Sequence, residues 1–524
     1  TTTPWTLPAN LGIVLSPDFM YVAYKANGEV YVVAQELLEQ FQEATGLKDG
    51  EVVEEFRGRV LEKQKCSHPL LPRESLVMLG HHVTLEQGTG CVHTAPGHGV
   101  EDFQIGQEYG LEIFNPVDES GRFTEGYPDM EGMSVFEANP RIVEKLKTDG
   151  LLLAHANYTH SYPYSWRSRK PVIMRATEQW FMDVDKDGLR DKALAEVENV
   201  SWVPAWGFDR ISNMLKGRPD WCLSRQRSWG VPIPSIHDRR TGDSILSPEL
   251  VENFTKIVEK EGTDCWFARP LADFLPDNMK ADAEHYEKEH NCLDVWFDSG
   301  STHLAVLNEN YGLTWPADLY LEGSDQHRGW FQSSLWVALG TKGAAPYRQV
   351  LTHGFVLDEQ GRPMSKSLGN VISPLDVVAQ NGADVLRMWV SSEDYRDDVS
   401  ISKTAIQQIS TAYRRIRNTV RFVLGNLFDY DPEVNAVPYE KLSQDDRWTL
   451  HQLNDLTMRV TDAYEKFEFH RVYQLVNGFC VTELGALYLD IIKDRLYCSA
   501  ADDLPRRSSQ TVLYQVGSVL TRLM

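Results

Sequence analysis

Hydrophobic and polar positions follow different periods in successive parts of this chain. Near the start, Tyr21-Val22-Ala23-Tyr24 and Val30-Tyr31-Val32-Val33 are β-forming runs separated by Asn27-Gly28. That dipeptide favours the positive-φ turn of a tight hairpin, so two antiparallel strands are predicted. Residues 34–46 then space their apolar positions as a short amphipathic helix that ends at Gly46. Residues 235–290 are polar and charged, with helical patterning over 248–261 and 277–290, and are expected to form solvated helices. From 293 to 370 the pattern changes. The apolar runs 293–297 and 317–321 end in polar loops, Asp298-Ser299-Gly300-Ser301 and Glu322-Gly323-Ser324-Asp325-Gln326-His327. A helix over 330–339 and a strand over 350–356 come next. Strand, loop, helix and strand at this spacing predict a parallel α/β sheet, whose ligands bind beyond the carboxyl ends of its strands. Beyond 375 the helical period takes over, in stretches 383–391, 404–427, 446–473, 474–498 and 510–524, which predicts an appended helical bundle.

Composition narrows the class. At 524 residues the chain is too long for one core, so about three or four domains are expected. Its 14 Trp and 21 Tyr exclude a disordered or low-complexity chain. A net charge of -23 argues against a coat protein with a broad basic face, yet leaves room for nucleic acid docked on a local strip. Arg414, Arg415, Arg417 and Arg421 on the 404–427 helix form one such strip. The seven cysteines are scattered and never paired as CxxC, so neither a disulfide framework nor a zinc knuckle is predicted. Reduced, mostly buried thiols suit the cytoplasm or an organelle matrix. No signal peptide is read, and no apolar run is expected to span a bilayer. An opening at Thr1-Thr2-Thr3-Pro4-Trp5 without Met, and an ending in mid-pattern at Leu523-Met524, are read as cut ends.

Three clusters carry candidate chemistry. The first comprises His81-His82, the Gly-rich string from Gly88 through His93 and His98 to Gly99, and Glu101-Asp102. So many glycines and polar residues predict a shaped loop, neither helix nor strand. It reads either as a metal site of His93, His98 and Asp102, or as a small-molecule site. In the second case Asp102 pairs with an ammonium, and His93 orients a ribose or a water. A Gly-rich turn with structural histidines is the third reading. The second cluster is Glu322, Asp325 and His353, all at strand ends. Its carboxylates suit an ammonium or ribose hydroxyls, while Ser324 or Asp325 could instead cap a helix. The third is the loop Gly361-Arg362-Pro363-Met364-Ser365-Lys366-Ser367-Leu368-Gly369-Asn370. Its hydroxyls and ammonium can all donate to phosphate oxygens, although it lacks P-loop spacing. Two aromatic-basic strings, Tyr162-Pro163-Tyr164-Ser165-Trp166-Arg167-Ser168-Arg169-Lys170 and residues 221–230, fit base stacking or a packing seam equally.

Pro363-Met364-Ser365-Lys366-Ser367 resembles the KMSKS signature of class I aminoacyl-tRNA synthetases. Other strings are similar to the isoleucine-specific branch of that family. They include residues 1–10 and 93–99 for its editing domain, and 221–230, 294–300 and 322–331 for its catalytic core. The resemblance covers essentially the whole chain. It implies a parallel Rossmann-type nucleotide-binding core, of which only the second half is present. It also implies an inserted, β-rich mixed α/β editing domain and a C-terminal α-helical anticodon-binding bundle. The expected partition is editing domain 1–155, return linker 156–234, helical insertion 235–292, catalytic core 293–375, connector 376–403 and anticodon-binding helices 404–524.

The implied reaction joins isoleucine to tRNA(Ile) through an adenylate, with ATP and Mg(2+) as substrate and hydrolytic editing of valyl-tRNA(Ile). By this resemblance Lys366, Ser365 and Ser367 stabilise phosphate charge, and Met364 joins them in binding ATP. Glu322, Gly323, Asp325, Gln326 and His353 hold the adenylate, and Trp296 and Trp330 wall the side-chain pocket. Thr1, Thr2, Thr3, His93 and Asp102 form the editing site, with Asp102 on the α-ammonium. Two departures stand out. Pro363 replaces the first Lys of the signature, and no HIGH motif occurs. The zinc-binding cysteines of many relatives are also missing. The chain is therefore expected to be a monomeric, cytoplasmic fragment without full synthetic activity. A stand-alone editing deacylase and a non-catalytic tRNA-binding protein are the alternatives.

Overall fold

The computed structural model describes residues 1–157, 159–366 and 368–524. The chain divides into two compact units, Thr1–Glu178 and Gln179–Met524.

The first unit is mixed α/β. One sheet has the order β5-β6-β1-β7, built from β1 (Gly12–Leu15), β5 (Lys65–Ser67), β6 (Glu74–Leu79) and β7 (Cys91–Thr94). β1 runs parallel to β6 and antiparallel to β7, with Ile13 opposite His93. The other sheet places β2 (Met20–Ala26) between β3 (Glu29–Ala34) and β4 (Glu51–Arg57). The predicted hairpin forms. Ala26 pairs with Glu29, and Asn27 and Gly28 take φ of 50° and 87°, the left-handed pair that a two-residue turn requires. Helix α1 (Leu38–Thr45) stops at Gly46, whose φ of 75° closes its last turn. Tyr21, Tyr24, Val33, Leu37 and Phe41 are buried between these elements.

Part of the presumed loop between 81 and 102 is regular structure. Residues 91–94 are strand β7, and α2 (Val100–Glu108) begins inside the cluster with Glu101 and Asp102 in its first turn. Pairing with β1 supplies hydrogen-bond partners that local composition does not reveal. Helix α3 (Val135–Thr148) packs Ala138 and Ile142 against Trp5 of the 3₁₀ turn Pro4–Ala9.

In the second unit the predicted parallel sheet is present. Tyr320–Gly323 and Ser201–Val203 flank Gln349–His353, and every pairing is parallel. Helix Trp330–Lys342 connects two of these strands, burying Phe331, Leu335, Trp336 and Leu339. The 293–297 run is not a strand beyond Leu293. The Asp294 side chain caps the Trp296 amide and starts helix Val295–Gly300, and this capping outweighs the β-propensity of Val-Trp-Phe. Residues 235–292 also differ from solvated helices. Helix Pro248–Glu261 forms as expected, but 277–290 holds a 3₁₀ turn, Lys280–His285, and a strand, Tyr286–Lys288. That strand joins Ile236–Asp238 and Ser244–Ile245 over a core of Phe254, Trp266 and Phe274.

The C-terminal part is helical. Helices Lys403–Gly425, Gln444–Glu465 and Leu504–Leu523 surround a core that includes Ile416, Leu453, Val460, Val476 and Val512. The single helix expected over 446–473 breaks after Glu465, where Phe467 adopts φ 57°, and restarts at Phe469. Contrary to expectation, Phe469–Cys498 is long and apolar enough, by length and composition alone, to cross a membrane. In the bundle its Val476, Leu484, Tyr488 and Ile492 are buried, while Val481, Leu487 and Ile491 are exposed. Of the cysteines, Cys265, Cys292 and Cys480 are buried and Cys498 is exposed.

Candidate functional sites

The first unit holds a cleft of about 640 Å³ lined by Thr1, Thr2, Thr3, His93 and Asp102, so all five residues of that candidate site share one space. The 3₁₀ turn Pro4–Ala9 is anchored by buried Trp5, and the threonines extend from its start. Thr2 and Thr3 hydroxyls lie 3.4 Å apart, and the Thr3 amide donates to the Thr1 hydroxyl at 3.0 Å.

His93 is held on both sides. The Asn10 amide nitrogen lies 2.6 Å from Nδ1, and the Thr6 hydroxyl 2.9 Å from Nε2. Because an amide NH₂ can only donate, Nδ1 accepts and Nε2 carries the proton. Nε2–H donates to the Thr6 hydroxyl, which in turn donates a hydrogen bond to Thr3 O at 2.8 Å. Buried Asn10 is fixed in turn by Ser75, whose hydroxyl donates to its Oδ1 at 2.5 Å. Burial, reinforced by the Thr1 ammonium and then by His68 and His98, pushes the His93 imidazole down to about 3. His93 is thus neutral, with no nitrogen left for a metal. Among the described residues no three His, Cys, Asp or Glu side chains are grouped to hold one.

Asp102 Oδ2 accepts from the Ala95 amide at 2.8 Å. Burial raises its carboxyl, and that hydrogen bond opposes the shift. Two glycines make room. A Cβ on Gly99 would sit 3.1 Å from Asp102 Cγ, and one on Gly97 2.5 Å from Phe114 O.

The second unit places Glu322, Gly323 and His353 at the carboxyl ends of adjacent parallel strands. His353 Nε2 stands 3.8 Å from Glu322 Oε1. Asp325 and Gln326 follow on a 3₁₀ turn, where the Gln326 amide donates to Asp325 Oδ2 at 3.0 Å. Neither Ser324 nor Asp325 caps the next helix. Gln326 Oε1 does so, accepting from the Trp330 amide at 2.9 Å. Gly323 lies close to Asp325, and a Cβ there would sit 2.9 Å from Asp325 Oδ1, so the carboxylate would have to shift. The two tryptophans are held differently. Trp330 stacks on Tyr320 at 4.1 Å and donates its indole N–H to Ser299 O, whereas half-exposed Trp296 lies over Gly329.

The Lys366 loop is organised from its base by Asp358 and Asn370. Asp358 accepts from the Arg362 and Gln360 amides, the Arg362 guanidinium and the Asn370 amide. These donors, led by Asn370, hold its carboxyl far below the usual range. Asn370 also accepts from the Ser365 amide at 2.9 Å. Lys366 is exposed, Met364 packs on the helical core, and Ser367 lies outside the described residues. Thr6, Asn10, Asp358 and Asn370 were not singled out from sequence. Asn10 and His93 are 83 residues apart, and no periodicity links them.

Residues 22–402 match the family model described as tRNA synthetases class I (I, L, M and V), and residues 446–524 match the anticodon-binding domain of tRNA ligase. Over its whole length the chain is 51% identical to isoleucine–tRNA ligase of Syntrophomonas wolfei, and 51% identical to that of Geobacter sulfurreducens. It spans 57% of each, so the chain covers little more than half the length of these relatives. Among solved structures, Mycobacterium tuberculosis methionyl-tRNA synthetase in complex with methionyl-adenylate gives a TM-score of 0.48 at 18% identity, over 69% of this chain and 63% of that one. With a family model matched across residues 22–402, the chain belongs to the class I tRNA synthetases of the isoleucine, leucine, methionine and valine group.

Proposed function

We propose that this chain serves the ATP-dependent attachment of isoleucine to tRNA(Ile), and that its own contribution includes hydrolytic editing of valyl-tRNA(Ile). The observation that carries the reading is the 51% identity to isoleucine–tRNA ligase along the full chain. The first unit's cleft supports the editing part. It combines hydroxyls from Thr2 and Thr3, a neutral imidazole and a carboxylate with one oxygen uncommitted to Ala95. Asp102 binds the α-ammonium of the mischarged valine. Thr2 and Thr3 position the ribose end and the attacking water, and His93 contributes by holding Thr6 and, through it, the Thr3 carbonyl.

The need for a second site is energetic. One methylene distinguishes isoleucine from valine and is worth about 1–3 kcal/mol in a pocket, a limit for which this amino-acid pair is itself the reference case. A hydrolytic site that accepts valine and excludes isoleucine supplies the missing discrimination.

In the second unit, Glu322 and Asp325 hold the polar parts of the adenylate, together with Gly323, Gln326 and His353. Trp296 and Trp330 border the aliphatic side chain. Lys366, with Ser365, Ser367 and Met364, meets the phosphates of Mg(2+)-ATP, where developing charge is stabilised by its ammonium. Pro363 removes one cation from that loop and stiffens its entry. The helices matched to the anticodon-binding model bind tRNA(Ile), and the preceding helix exposes Arg414, Arg415, Arg417 and Arg421 for phosphate contacts. The protein acts as a cytoplasmic monomer. The test is release of valine from valyl-tRNA(Ile) by this chain, with isoleucyl-tRNA(Ile) left intact. Absence of valine release removes the editing reading.

A further inference from the structure

Besides His93 the cleft of the first unit is lined by His82, His98 and His160, and of these His98 has the most sharply defined surroundings. His98 Nδ1 lies 3.0 Å from Met174 O. A carbonyl can only accept, so Nδ1 carries the proton and Nε2 is a bare acceptor. Nε2 is shielded from solvent, and no described group donates to it. The ring plane is set by edge contact with Trp5, at 4.7 Å and 72°. The backbone ties this ring to the carboxylate: the His98 amide donates to Ala95 O, and the Ala95 amide donates to Asp102 Oδ2. Buried acceptors without a partner are uncommon in folded proteins because their lost hydration is not replaced. Here that acceptor belongs to a residue of the cleft wall.

The other polar groups leave a specific role open. His93 has both nitrogens engaged, and the Asp102 carboxylate is suited to the cationic ammonium. A neutral acceptor suits a neutral donor. On an aminoacylated terminal ribose, the neutral donor nearest the ester is the free hydroxyl beside it. We propose that His98 Nε2 accepts a hydrogen bond from this hydroxyl when the aminoacyl end of tRNA occupies the cleft, the ribose displacing the side chains that shield Nε2. The assignment rests on the editing reading, and makes His98 a substrate-binding residue with no proton transfer of its own.

The test compares valyl-tRNA(Ile) with and without that hydroxyl, using the full chain and its His98→Phe variant. Loss of the hydroxyl is expected to slow wild-type hydrolysis about tenfold, and His98→Phe to slow the intact substrate by about the same factor. The variant should then be indifferent to removal of the hydroxyl. Two losses that multiply overturn the assignment and leave editing standing, whereas no hydrolysis by the wild-type chain overturns both. A second measurement does not depend on the variant folding. The ¹⁵N resonance of His98 Nε2 in the wild-type chain should shift on adding adenosine that carries valine through an amide. It should stay in place with the same compound lacking the hydroxyl. An equal response to both compounds, or no response to either, contradicts the proposal.

Discussion

Asn10 donates its side-chain amide to Nδ1 of His93 at 2.6 Å, and this bond decides which imidazole nitrogen carries the proton. Everything downstream follows from it: Nε2–H to Thr6, and Thr6 to the carbonyl of Thr3. Replacing Asn10 by Ala removes the donor and also leaves the buried Ser75 hydroxyl without its acceptor. Asn10→Ala should cost about 1–3 kcal/mol of unfolding free energy in urea titration, the scale for stranding a buried polar group. It should also let His93 exchange between tautomers, visible in ¹⁵N spectra. A single sharp Nε2–H form in the variant would show that Asn10 does not set the tautomer.

Acid should destabilise the first unit before it denatures through its carboxylates. His93 and His68 are pushed by burial down to about 3 and about 4, below the ordinary histidine value near 6.5. The unfolded chain therefore binds protons that the folded chain refuses as pH falls below about 6.5. Stability contributed by keeping these rings neutral is complete above that value and is lost on descent towards pH 4. Each histidine steepens the loss by up to about 1.4 kcal/mol per pH unit. Urea midpoints between pH 7 and 4.5 report it, and a flat profile would contradict the buried neutral state.

Asp358 and Asn370 latch the Lys366 loop at its base through the 2.9 Å bond between them. Asp358→Ala removes the acceptor shared by the loop's turn and by Asn370. Tryptic cleavage after Lys366 should accelerate about tenfold, as local opening costs less. The helical core, which this loop meets at partly buried Met364, should lose little melting temperature. An unaltered cleavage rate would mean that the loop is held by other contacts.

Gly97 tests the shape of the cleft. A Cβ there would meet Phe114 O at 2.5 Å. Gly97→Ala should therefore destabilise the unit by about 1–3 kcal/mol, as overpacking against backbone does. Differential scanning calorimetry of the chain provides the measurement, with equal melting of variant and wild type as the contrary result.

Local signals were readable wherever a residue's own chemistry decided its conformation. Asn27-Gly28 announced a turn because both positions need positive φ, and Gly46 announced a helix end for the same reason. The parallel strands around Glu322 and His353 were legible from apolar runs that stop at polar residues. Where two local tendencies compete, pattern alone was a poorer guide. Asp294 turned a β-rich run into a helix by capping it, and Phe467 broke a helix at a position with no Gly or Pro to mark it. The insertion core of Phe254, Trp266 and Phe274 depends on residues far enough apart to escape a helical window. At the cleft, resemblance to a family pointed to His93 and Asp102, but their partners are long-range. Asn10, Thr6 and Ala95 become visible only when β1 and β7 lie side by side.

Hydrolysis of valyl-tRNA(Ile) by this chain, wild type against Asp102→Ala, tests the account most directly. Asp102 supplies the only charge assigned to the substrate ammonium, and a charge-assisted bond of this kind carries both binding and orientation. The wild-type chain should release valine while sparing isoleucyl-tRNA(Ile), and Asp102→Ala should lower the rate by about 100-fold or more with its fold intact. Equal hydrolysis by the variant, or none by the wild type, would contradict the assignment of the cleft as an editing site.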